Sequence, residues 1–574
     1  MKKKILKLFS VCLAMMGALL MSSFRFETSL STASAETAAN GGITIRRSTD
    51  EGVLDTPVSS GSSETYKESD RQWLGLPTIS KTPEGRLWCA FQTGDAKEGA
   101  EGTDNYDVMY YSDDEGRTWS EEYFIFDVED ESIRLTDPRL FEDNFGKLWL
   151  VLIRGGGKGT YAMQMKNPDC ESPMENLRFG EPVWWLTYPP AHRPTVLSNG
   201  RWTTPVEANV KSQSTYICNP DDENGTYIWR EITASDGQAV TSFPDRKSYG
   251  ESQIIELQSG RLMMVSRLQK NAGNGLEVSY SDDYGAHWTP YRSGLDFPFA
   301  GPSSKFHIQR LKSGNILFVN HESLSDRTNL TAWLSTDDGK TFPYKILLDD
   351  RQIDGFWGVS YPEAAAQQGE NGEIYIVYDG GRYTQKEIRM AILTEEDIKA
   401  GEIVSESGTL RRAVISGGGY TDLTELDAST LYDRYRYVET GTGREAVISD
   451  LPAEVKASDK EGRTYTLTGE WVSGNYNANE KGRYTFEFIT SDLPDKVQDG
   501  LGLLRVYVGV GLTDPKENGG DSSDSSGAGT SDSENAESSG GNSRAGGCNG
   551  SICGSAAGFA GLAAIAFIPK KRKS

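Results

Sequence analysis

The sequence predicts an all-β protein in which a six-bladed β-propeller precedes a small β-sandwich. Three observations lead to this fold class. Glycine turns recur evenly over residues 70–390, an eight-residue motif occurs three times within that series, and residues 433–514 alternate between apolar and polar side chains. The 62 glycines among 574 residues also indicate many turns, which is typical of chains built from short strands.

The glycine turns mark the blades. Each unit has an apolar strand, a turn containing glycine, and a second apolar strand, and successive glycines are 61, 54, 60, 54 and 58 residues apart. A repeat in the fifties with a hairpin in each unit is typical of propeller blades of four short strands. Six turns therefore predict six blades over residues 70–400. The glycines are Gly85, Gly146, Gly200, Gly260, Gly314 and Gly372.

The second repeat reads S-x-D-x-G-x-x-W. It occurs at Ser112–Trp119 and Ser281–Trp288, and again at Ser335–Phe342 with phenylalanine in the tryptophan position. We expect a tight hairpin in which the Asp carboxylate accepts backbone N–H groups and glycine supplies a positive φ. The aromatic ring is expected to pack between neighbouring blades. These carboxylates are therefore predicted to be structural and not catalytic.

The chain beyond the propeller begins with a predicted short helix, which Thr394 caps and Gly401 ends. Residues 401–432 are predicted to be a connector. Residues 433–514 have the two-residue alternation of half-buried strands and are predicted to form the β-sandwich.

Both ends of the chain have the composition of targeting or anchoring segments. Residues 1–35 combine a basic start, an apolar stretch and a small-residue cleavage site, which predicts a signal peptide; an uncleaved membrane anchor is the alternative. Residues 36–69 form an N-terminal lead-in. Residues 515–547 are mostly Gly, Ser and Asp and predict a disordered linker. Residues 548–574, apolar and then basic, predict a surface-anchoring tail, so we expect an exported protein held at the cell surface.

The charge balance narrows the range of ligands. With 59 basic and 83 acidic residues the net charge is −24, which disfavours general nucleic-acid binding because phosphates are repelled. An anionic substrate requires a locally basic pocket. The four histidines and six scattered cysteines show no zinc-binding spacing, and no metal or cofactor is predicted. One disulfide, Cys170–Cys218, is considered for the exported chain.

The reactive groups of a propeller are expected where the innermost strands begin, because those ends converge around the central axis. The residues just before or within the six glycine-turn hairpins combine several cations with carboxylates. They are Arg71 with Trp73, Asp137 with Arg139, His192 with Arg193, Glu251, Ser303 with Lys305, and Tyr361 with Glu363.

Residues 70–390 resemble the exo-sialidases (neuraminidases), whose Asp-box, or BNR, repeats match the eight-residue motif. The segment around Glu251 resembles the one that carries the glutamate beside the nucleophile. The segment at Arg327 resembles one that carries a carboxylate-binding arginine, and Tyr361 lies where the family has its nucleophilic tyrosine. Residues 433–514 resemble bacterial Ig-like modules. The C-terminal tail resembles those of Gram-positive surface proteins, although no LPxTG motif is present.

The resemblance implies a retaining hydrolase that removes terminal sialic acid or a related acidic sugar from host glycans, glycoproteins or glycolipids. A neutral tyrosine suits a substrate whose anomeric carbon carries a carboxylate, since a carboxylate nucleophile would be repelled. Glu251 would take the proton of Tyr361, and Arg327 would bind the substrate carboxylate. Asp104 would protonate the leaving oxygen and then activate water. Asp95 is the alternative acid.

The sequence departs from the family at two of three carboxylate-binding arginines. The first belongs to an Arg-Ile-Pro motif, but here the chain reads Gly75-Leu76-Pro77, and residues 274–280 before the middle Asp box contain no arginine. Other cations are therefore predicted to bind the substrate: Arg193, Arg71, Arg139 and Lys305, with Arg382 a further candidate. Two alternatives stay open, a glycosidase or lyase for a different sugar and a non-catalytic surface protein that binds glycans.

Overall fold

The computed structural model describes residues 41–49, 52–53, 66–94, 105–128, 133–155, 159–209, 212–232, 248–268, 275–353, 358–417, 419–426 and 434–514. By its internal contacts the chain divides into residues 1–520 and 521–574, and the second unit lies wholly outside the described residues. The predicted signal peptide, linker and anchoring tail also fall outside them.

Six antiparallel sheets form the blades of the predicted propeller, and the first three blades occupy residues 73–231. Blade 1 contains β3 (Trp73–Lys81), β4 (Leu87–Gly94), β5 (Asn105–Ser112) and β6 (Tyr123–Val128), and its outer edge is extended by β1 (Ile43–Thr49) and β2 (Gly52–Val53). Blade 2 contains β7 (Leu135–Glu142), β8 (Leu148–Arg154), β9 (Thr160–Met165) and β10 (Val183–Leu186). Blade 3 contains β11 (Thr195–Val196), β12 (Trp202–Asn209), β13 (Ser212–Cys218) and β14 (Trp229–Glu231).

The other three blades continue the same meander to residue 416. Blade 4 contains β15 (Ser248–Glu256), β16 (Leu262–Leu268) and β17 (Leu276–Ser281). Blade 5 contains β18 (His307–Arg310), β19 (Ile316–His321), β20 (Leu330–Ser335) and β21 (Tyr344–Asp349). Blade 6 contains β22 (Val359–Ala364), β23 (Ile374–Gly380), β24 (Glu387–Leu393) and β25 (Thr409–Ser416). Strand β25 lies in the segment that the sequence predicts as a connector.

The glycine turns confirm the repeat on which the fold was predicted. All six glycines join the first two strands of a blade, and their φ angles lie between 74° and 106°, where a side chain would be strained. Apolar side chains then pack between neighbouring blades. One cluster joins blade 1 to blade 6 through residues such as Leu87 and Met390, so hydrophobic packing closes the ring.

The three Asp boxes have the predicted geometry. In the first, Ser112 Oγ donates to Asp114 at 2.8 Å, accepts from the Gly116 N–H at 2.8 Å, and Asp114 accepts the Thr118 N–H at 2.9 Å. The same bonds recur around Asp283 and Asp337. The aromatic residue of each box packs against an apolar cluster between two blades. These carboxylates hold turns together.

Short helices are few among the described residues. They are a 3₁₀ turn (Glu68–Asp70), α1 (Pro173–Asn176), α2 (Glu395–Ala400) and α3 (Arg444–Ser449). The predicted caps of α2 are confirmed, because Thr394 and Asp397 form a capping box and Gly401 ends the helix with a φ of 75°. Within the part of the chain described, no helix has the length and apolarity that a membrane crossing requires.

A curled seven-stranded sheet follows the propeller, as a predicted β-sandwich domain would require. Its strands are β26 (Thr421–Leu426), β27 (Tyr435–Val438), β28 (Glu454–Asp459), β29 (Thr464–Val472), β30 (Gly482–Thr490), β31 (Val497–Gln498) and β32 (Arg505–Val510), in the order β27-β32-β30-β29-β28-β26-β31. We call it the C-terminal sheet. Leu467 and Val506 are among the fully buried residues of its core. Its likeness to Ig modules stays a prediction.

The disulfide considered between Cys170 and Cys218 is wrong. Both cysteines carry free thiols, Cys170 beside α1 and Cys218 in the core of blade 3. The two residues belong to different blades, and their separation along the sequence does not show whether their side chains meet.

Candidate active site

The innermost strands of blades 1, 2 and 6 share a distortion near their first residues. Leu76, Asp137 and Tyr361 have φ angles of 59°, 53° and 54°, and each precedes a proline. The pairing with the next strand is interrupted at all three places. Positive φ is rare for residues other than glycine and is often associated with functional sites. The distortion in β22 places the Tyr361 side chain against Glu251 and Arg267.

Tyr361, Glu251 and Arg267 form a closed hydrogen-bonded triangle. The Tyr361 hydroxyl donates to Glu251 Oε1 at 3.3 Å, and Arg267 Nη1 lies 3.0 Å from the Tyr361 oxygen. The same Nη1 donates to Glu251 Oε2 at 2.6 Å. A phenol in contact with both a carboxylate and a guanidinium has a proton acceptor beside it and a cation that can stabilise its anion.

Arg267 is the residue that the sequence reasoning missed. Motif spacing predicts the second arginine among residues 274–280, whereas the structure supplies Arg267 from β16, the strand paired with β15. The hairpin at Gly260 pairs Glu256 with Leu262 and Ser252 with Ser266. Glu251 precedes Ser252 and Arg267 follows Ser266, and their side chains meet where this regular pairing ends, so hairpin register was the signal that could have identified Arg267.

Two more guanidinium groups flank the Tyr361 ring. The Cζ atom of Arg327 lies 5.3 Å from the ring centroid, and that of Arg382 lies 4.1 Å away. Arg327 also donates to the Ser303 carbonyl oxygen at 3.0 Å, as Arg267 does at 3.1 Å. The Ser303 carbonyl thus holds two of the three arginines at a fixed spacing.

Arg382 takes up the space beside Gly75, where the resembled family has an arginine. A Cβ atom on Gly75 would lie 2.8 Å from Arg382 Nε and 3.0 Å from Asp379 Oδ2. Asp379 is fully buried and pairs with Arg382 Nη2 at 2.9 Å. It also accepts the Leu76 N–H at 2.9 Å and the Ser360 hydroxyl at 2.7 Å. The position of the Arg382 side chain therefore depends on residue 75 being glycine.

The electrostatics of the site favour an anion. Burial raises the pKa of Tyr361, and Glu251 adds to this rise, while Arg267, Arg327 and Arg382 oppose it. Burial and the neighbouring guanidiniums lower the pKa of Arg327 to about 10. Three guanidiniums here face two carboxylates, Glu251 and Asp379, so the described part of the site carries a net positive charge in a protein of charge −24.

Two of the predicted substrate-binding cations, Arg139 and Lys305, make their described contacts in a separate buried group around Glu363. Lys305 Nζ lies 3.3 Å from Glu363 Oε2, and Arg139 pairs with Asp137 at 2.7 Å. Burial would raise the pKa of Glu363, but Lys305, Arg139 and Arg193 lower it to about 2. Burial and Arg139 lower the pKa of Lys305 to about 8. We call Glu363, Lys305, Arg139 and Asp137 the inner ion cluster.

The other two predicted cations point away from Tyr361. Arg71 turns into the body of blade 1, where it donates to the Tyr110 hydroxyl at 2.8 Å and lies over the Tyr123 ring. Arg193 donates to the Ala364 carbonyl oxygen at 2.6 Å. It lines a cavity of about 830 Å³ bounded by the last residues of the inner strands. Position at a strand start was thus insufficient to predict side-chain direction.

The predicted acid, Asp104, and its alternative, Asp95, lie outside the described residues. Gly94 is the last described residue before this segment and Asn105 is the first one after it, and the two pair across β4 and β5. Asn105 is buried and accepts a hydrogen bond of 3.0 Å from the Trp73 indole. Trp73 in turn packs in the apolar cluster that contains Tyr361. The residue after Asp104 is therefore anchored to the Tyr361 cluster.

The model of the BNR repeat-like domain family matches residues 85–376. Among solved structures the chain is similar to a Hadza microbial sialidase at 17% identity, covering 60% of this chain and 72% of that one with a TM-score of 0.43. It is similar to the intramolecular trans-sialidase of Ruminococcus gnavus at 12% identity, covering 58% and 96%, TM-score 0.42. It is also similar to the NanB sialidase of Streptococcus pneumoniae at 15% identity, covering 60% and 71%, TM-score 0.38. Comparison with curated proteins gives no match. Identities of this size do not transfer an activity.

Proposed function

This chain belongs to the BNR repeat-like domain family, and we propose that it is a retaining exo-glycosidase for terminal sugars that carry a carboxylate at the anomeric carbon, sialic acids being the first candidates. The observation that carries the proposal is the contact of the Tyr361 hydroxyl with Glu251, enclosed by Arg267, Arg327 and Arg382.

Tyr361 is the proposed nucleophile and Glu251 its base. Loss of the phenol proton is opposed by the raised pKa of Tyr361 in the free protein. A carboxylate 3.3 Å from the hydroxyl can accept that proton as the bond to the sugar forms. The Arg267 guanidinium, which contacts both groups, then stabilises the charge moved between them. The product of this step is a glycosyl-tyrosine, which water hydrolyses with retention of configuration.

The three guanidiniums are proposed to bind the substrate carboxylate. Arginine presents paired N–H donors that match a carboxylate, and such charge-assisted bonds are stronger than neutral ones. Arg327 lies in the segment that resembles a carboxylate-binding one, Arg267 extends from β16, and Arg382 reaches the site from the β23–β24 connection. Arg382 would thus preserve recognition of the substrate carboxylate although position 75 is glycine and not arginine.

A residue of segment 95–104 is proposed as the acid, with Asp104 preferred over Asp95. The site reaches solvent at Glu251, whose side chain is 17% exposed, and this opening would admit a terminal sugar. We further propose that the reaction takes place outside the cell. Residues 1–35 would direct export and residues 548–574 would retain the enzyme at the bacterial surface, where host glycans are the partners.

The test is hydrolysis of fluorogenic glycosides by purified protein lacking residues 1–35. The panel contains an α-sialoside, neutral hexosides and a uronide, and Tyr361→Phe is the inactive control. We expect turnover of the α-sialoside and a loss of at least ~10³-fold in kcat for Tyr361→Phe, because the nucleophile is removed while the ring packing stays.

Other outcomes separate the alternatives. Turnover of a neutral sugar or uronide but not of the sialoside would assign the propeller to another glycosidase or lyase. Glycan binding without turnover, unchanged in Tyr361→Phe, would indicate a non-catalytic binding protein. Either result would contradict the proposed function.

A further inference from the structure

The connection between β23 and β24 carries Arg382 and links the site to the C-terminal sheet. We call residues 380–387 the Arg382 hairpin. Its inner side is fixed to the propeller, because the Gly381 N–H donates to the Gly358 carbonyl at 2.9 Å and the Leu74 N–H donates to the Arg382 carbonyl at 3.2 Å. Its outer end is Glu387, which is fully buried.

Glu387 is the centre of a buried ion network. Its carboxylate pairs with Arg351 at 2.6 Å and with Arg389, and Gln498 Nε2 donates to it at 3.3 Å. Burial would raise the pKa of Glu387, but Arg351 and Arg389 lower it, so the group is held in its charged form. Its Oε1 atom would lie 2.6 Å from a Cβ atom on Gly380, so the carboxylate occupies the space beside the first residue of the hairpin.

The C-terminal sheet supplies the outer part of this network. Asp422 on β26 pairs with Arg389, and both Asp422 and Gln498 belong to the sheet that follows the propeller. Gly500 leaves no room for a side chain against Asp422 and Arg389. In addition, the Gly417 N–H donates to the Lys386 carbonyl oxygen at 2.9 Å, which fixes the other outer residue of the hairpin.

Buried ions of this kind depend on every partner. Removing one member of a buried, hydrogen-bonded pair leaves the remaining charge without compensation, and the structure around it must rearrange. Loss of the Asp422 charge would leave Arg389 with Glu387 as its one remaining carboxylate partner in the described network. The pair would then shift, and Glu387 would transmit the shift to Gly380 and thus to Arg382.

We propose that Asp422 is a positioning residue for the central site, acting through Arg389 and Glu387 on the Arg382 hairpin. The C-terminal sheet is then a working part of the enzyme and more than a spacer. The inference rests on the proposed function for its catalytic consequence, but the coupling of Asp422 to the hairpin is a property of the fold alone.

The experiment compares the purified protein lacking residues 1–35 with its Asp422→Asn variant. Asp459→Asn is the matched control. Asp459 is a buried carboxylate of the same sheet, but it bonds to Arg463 and Tyr465, which do not belong to the ion network around Glu387. Amide hydrogen exchange of residues 380–387 is measured first, because it needs no substrate. We expect about tenfold faster exchange in Asp422→Asn and no change in the control, since only the former removes a carboxylate that is paired with Arg389 in the buried network.

The catalytic readout is KM against kcat on the substrate that the wild-type protein hydrolyses. We expect KM to rise about tenfold with kcat changed less than threefold, since Arg382 contributes mainly to uniform binding of the carboxylate. Gln498→Ala, which removes one neutral donor and should fold normally, is expected to move both readouts in the same direction by a smaller factor.

Unchanged exchange over residues 380–387 in both Asp422→Asn and Gln498→Ala would overturn the inference, as would an equal effect from Asp459→Asn. A wild-type protein without any turnover would refute the proposed function, and the exchange measurement would still decide whether Asp422 is coupled to the hairpin.

Discussion

Gly75→Ala is the smallest change that tests how the site is built. The φ angle of Gly75 lies outside the left-handed region, so alanine is compatible with the backbone. The new Cβ atom would lie 2.8 Å from Arg382 Nε, against an ordinary contact distance of 3.4 Å. Arg382 must therefore retreat by about 0.6 Å, and its hydrogen bond of 3.1 Å to Asp379 has little length to spare.

The expected loss follows from that displacement. A misplacement approaching 1 Å in a binding group can cost up to ~10²-fold in rate, so a shift of this size should lower kcat/KM by about ten- to thirtyfold. Under the proposed function Arg382 binds the carboxylate in both ground and transition states, and most of the loss should then appear in KM. The assay is steady-state hydrolysis of the α-sialoside, with thermal unfolding of each variant measured alongside.

Two comparisons make the test decisive. Gly474→Ala is the matched control, because no atom lies within 4 Å of its new Cβ. In an Arg382→Ala background, Gly75→Ala should cost much less, since the side chain closest to the new Cβ is gone and only Asp379 Oδ2, at 3.0 Å, remains close to it. A Gly75→Ala enzyme with wild-type KM, or a full additional loss in the double variant, would refute the assignment of Arg382 to the site.

Two further predictions concern stability. Glu363 has a folded pKa of about 2 against an ordinary 4.5, so its contribution to the free energy of unfolding is complete above pH 4.5 and is lost as the pH falls towards 2. Acid unfolding of the wild-type protein should therefore show about 3 kcal/mol of pH-dependent stability in this window, which Glu363→Gln lacks. The same acid dependence in both proteins would contradict the role of the inner ion cluster. Asp337→Ala in the third Asp box removes an acceptor of the Thr341 and Lys340 N–H groups. It should lower the free energy of unfolding by about 1 kcal/mol and leave kcat unchanged. A large loss of kcat without loss of stability would show that an Asp box acts in the reaction.

The fold was predictable because its determinants are local in sequence. Positive φ at Gly85 or Gly314 is a property of one residue, and an Asp box closes within eight residues, so both can be recognised without knowledge of distant contacts. The capped helix at Thr394 and Gly401 was predictable for the same reason. The strand β25 was not, because an edge strand is defined by pairing with β24 across the intervening helix.

The site was predictable only in part. Tyr361 and Glu251 are 110 residues apart, and the resemblance of their segments to those of a known family predicted a contact, which is 3.3 Å long in the structure. Arg267 was missed because motif spacing predicts the second arginine within residues 274–280, whereas hairpin register points to Arg267. Arg71 and Arg193 were chosen by position on inner strands, but side-chain direction depends on local packing, and both turn to other partners.

The number of blades, the structural role of the Asp boxes and the segments that carry Tyr361, Glu251 and Arg327 could all be inferred from the sequence. Which cations meet depends on the folded chain. The space above Gly75 exists because strand β3 lacks a side chain there, and Arg382 enters it from a hairpin more than 300 residues away in the chain, held by Asp379. Such an exchange depends on distance in space, and a linear sequence records only distance along the chain.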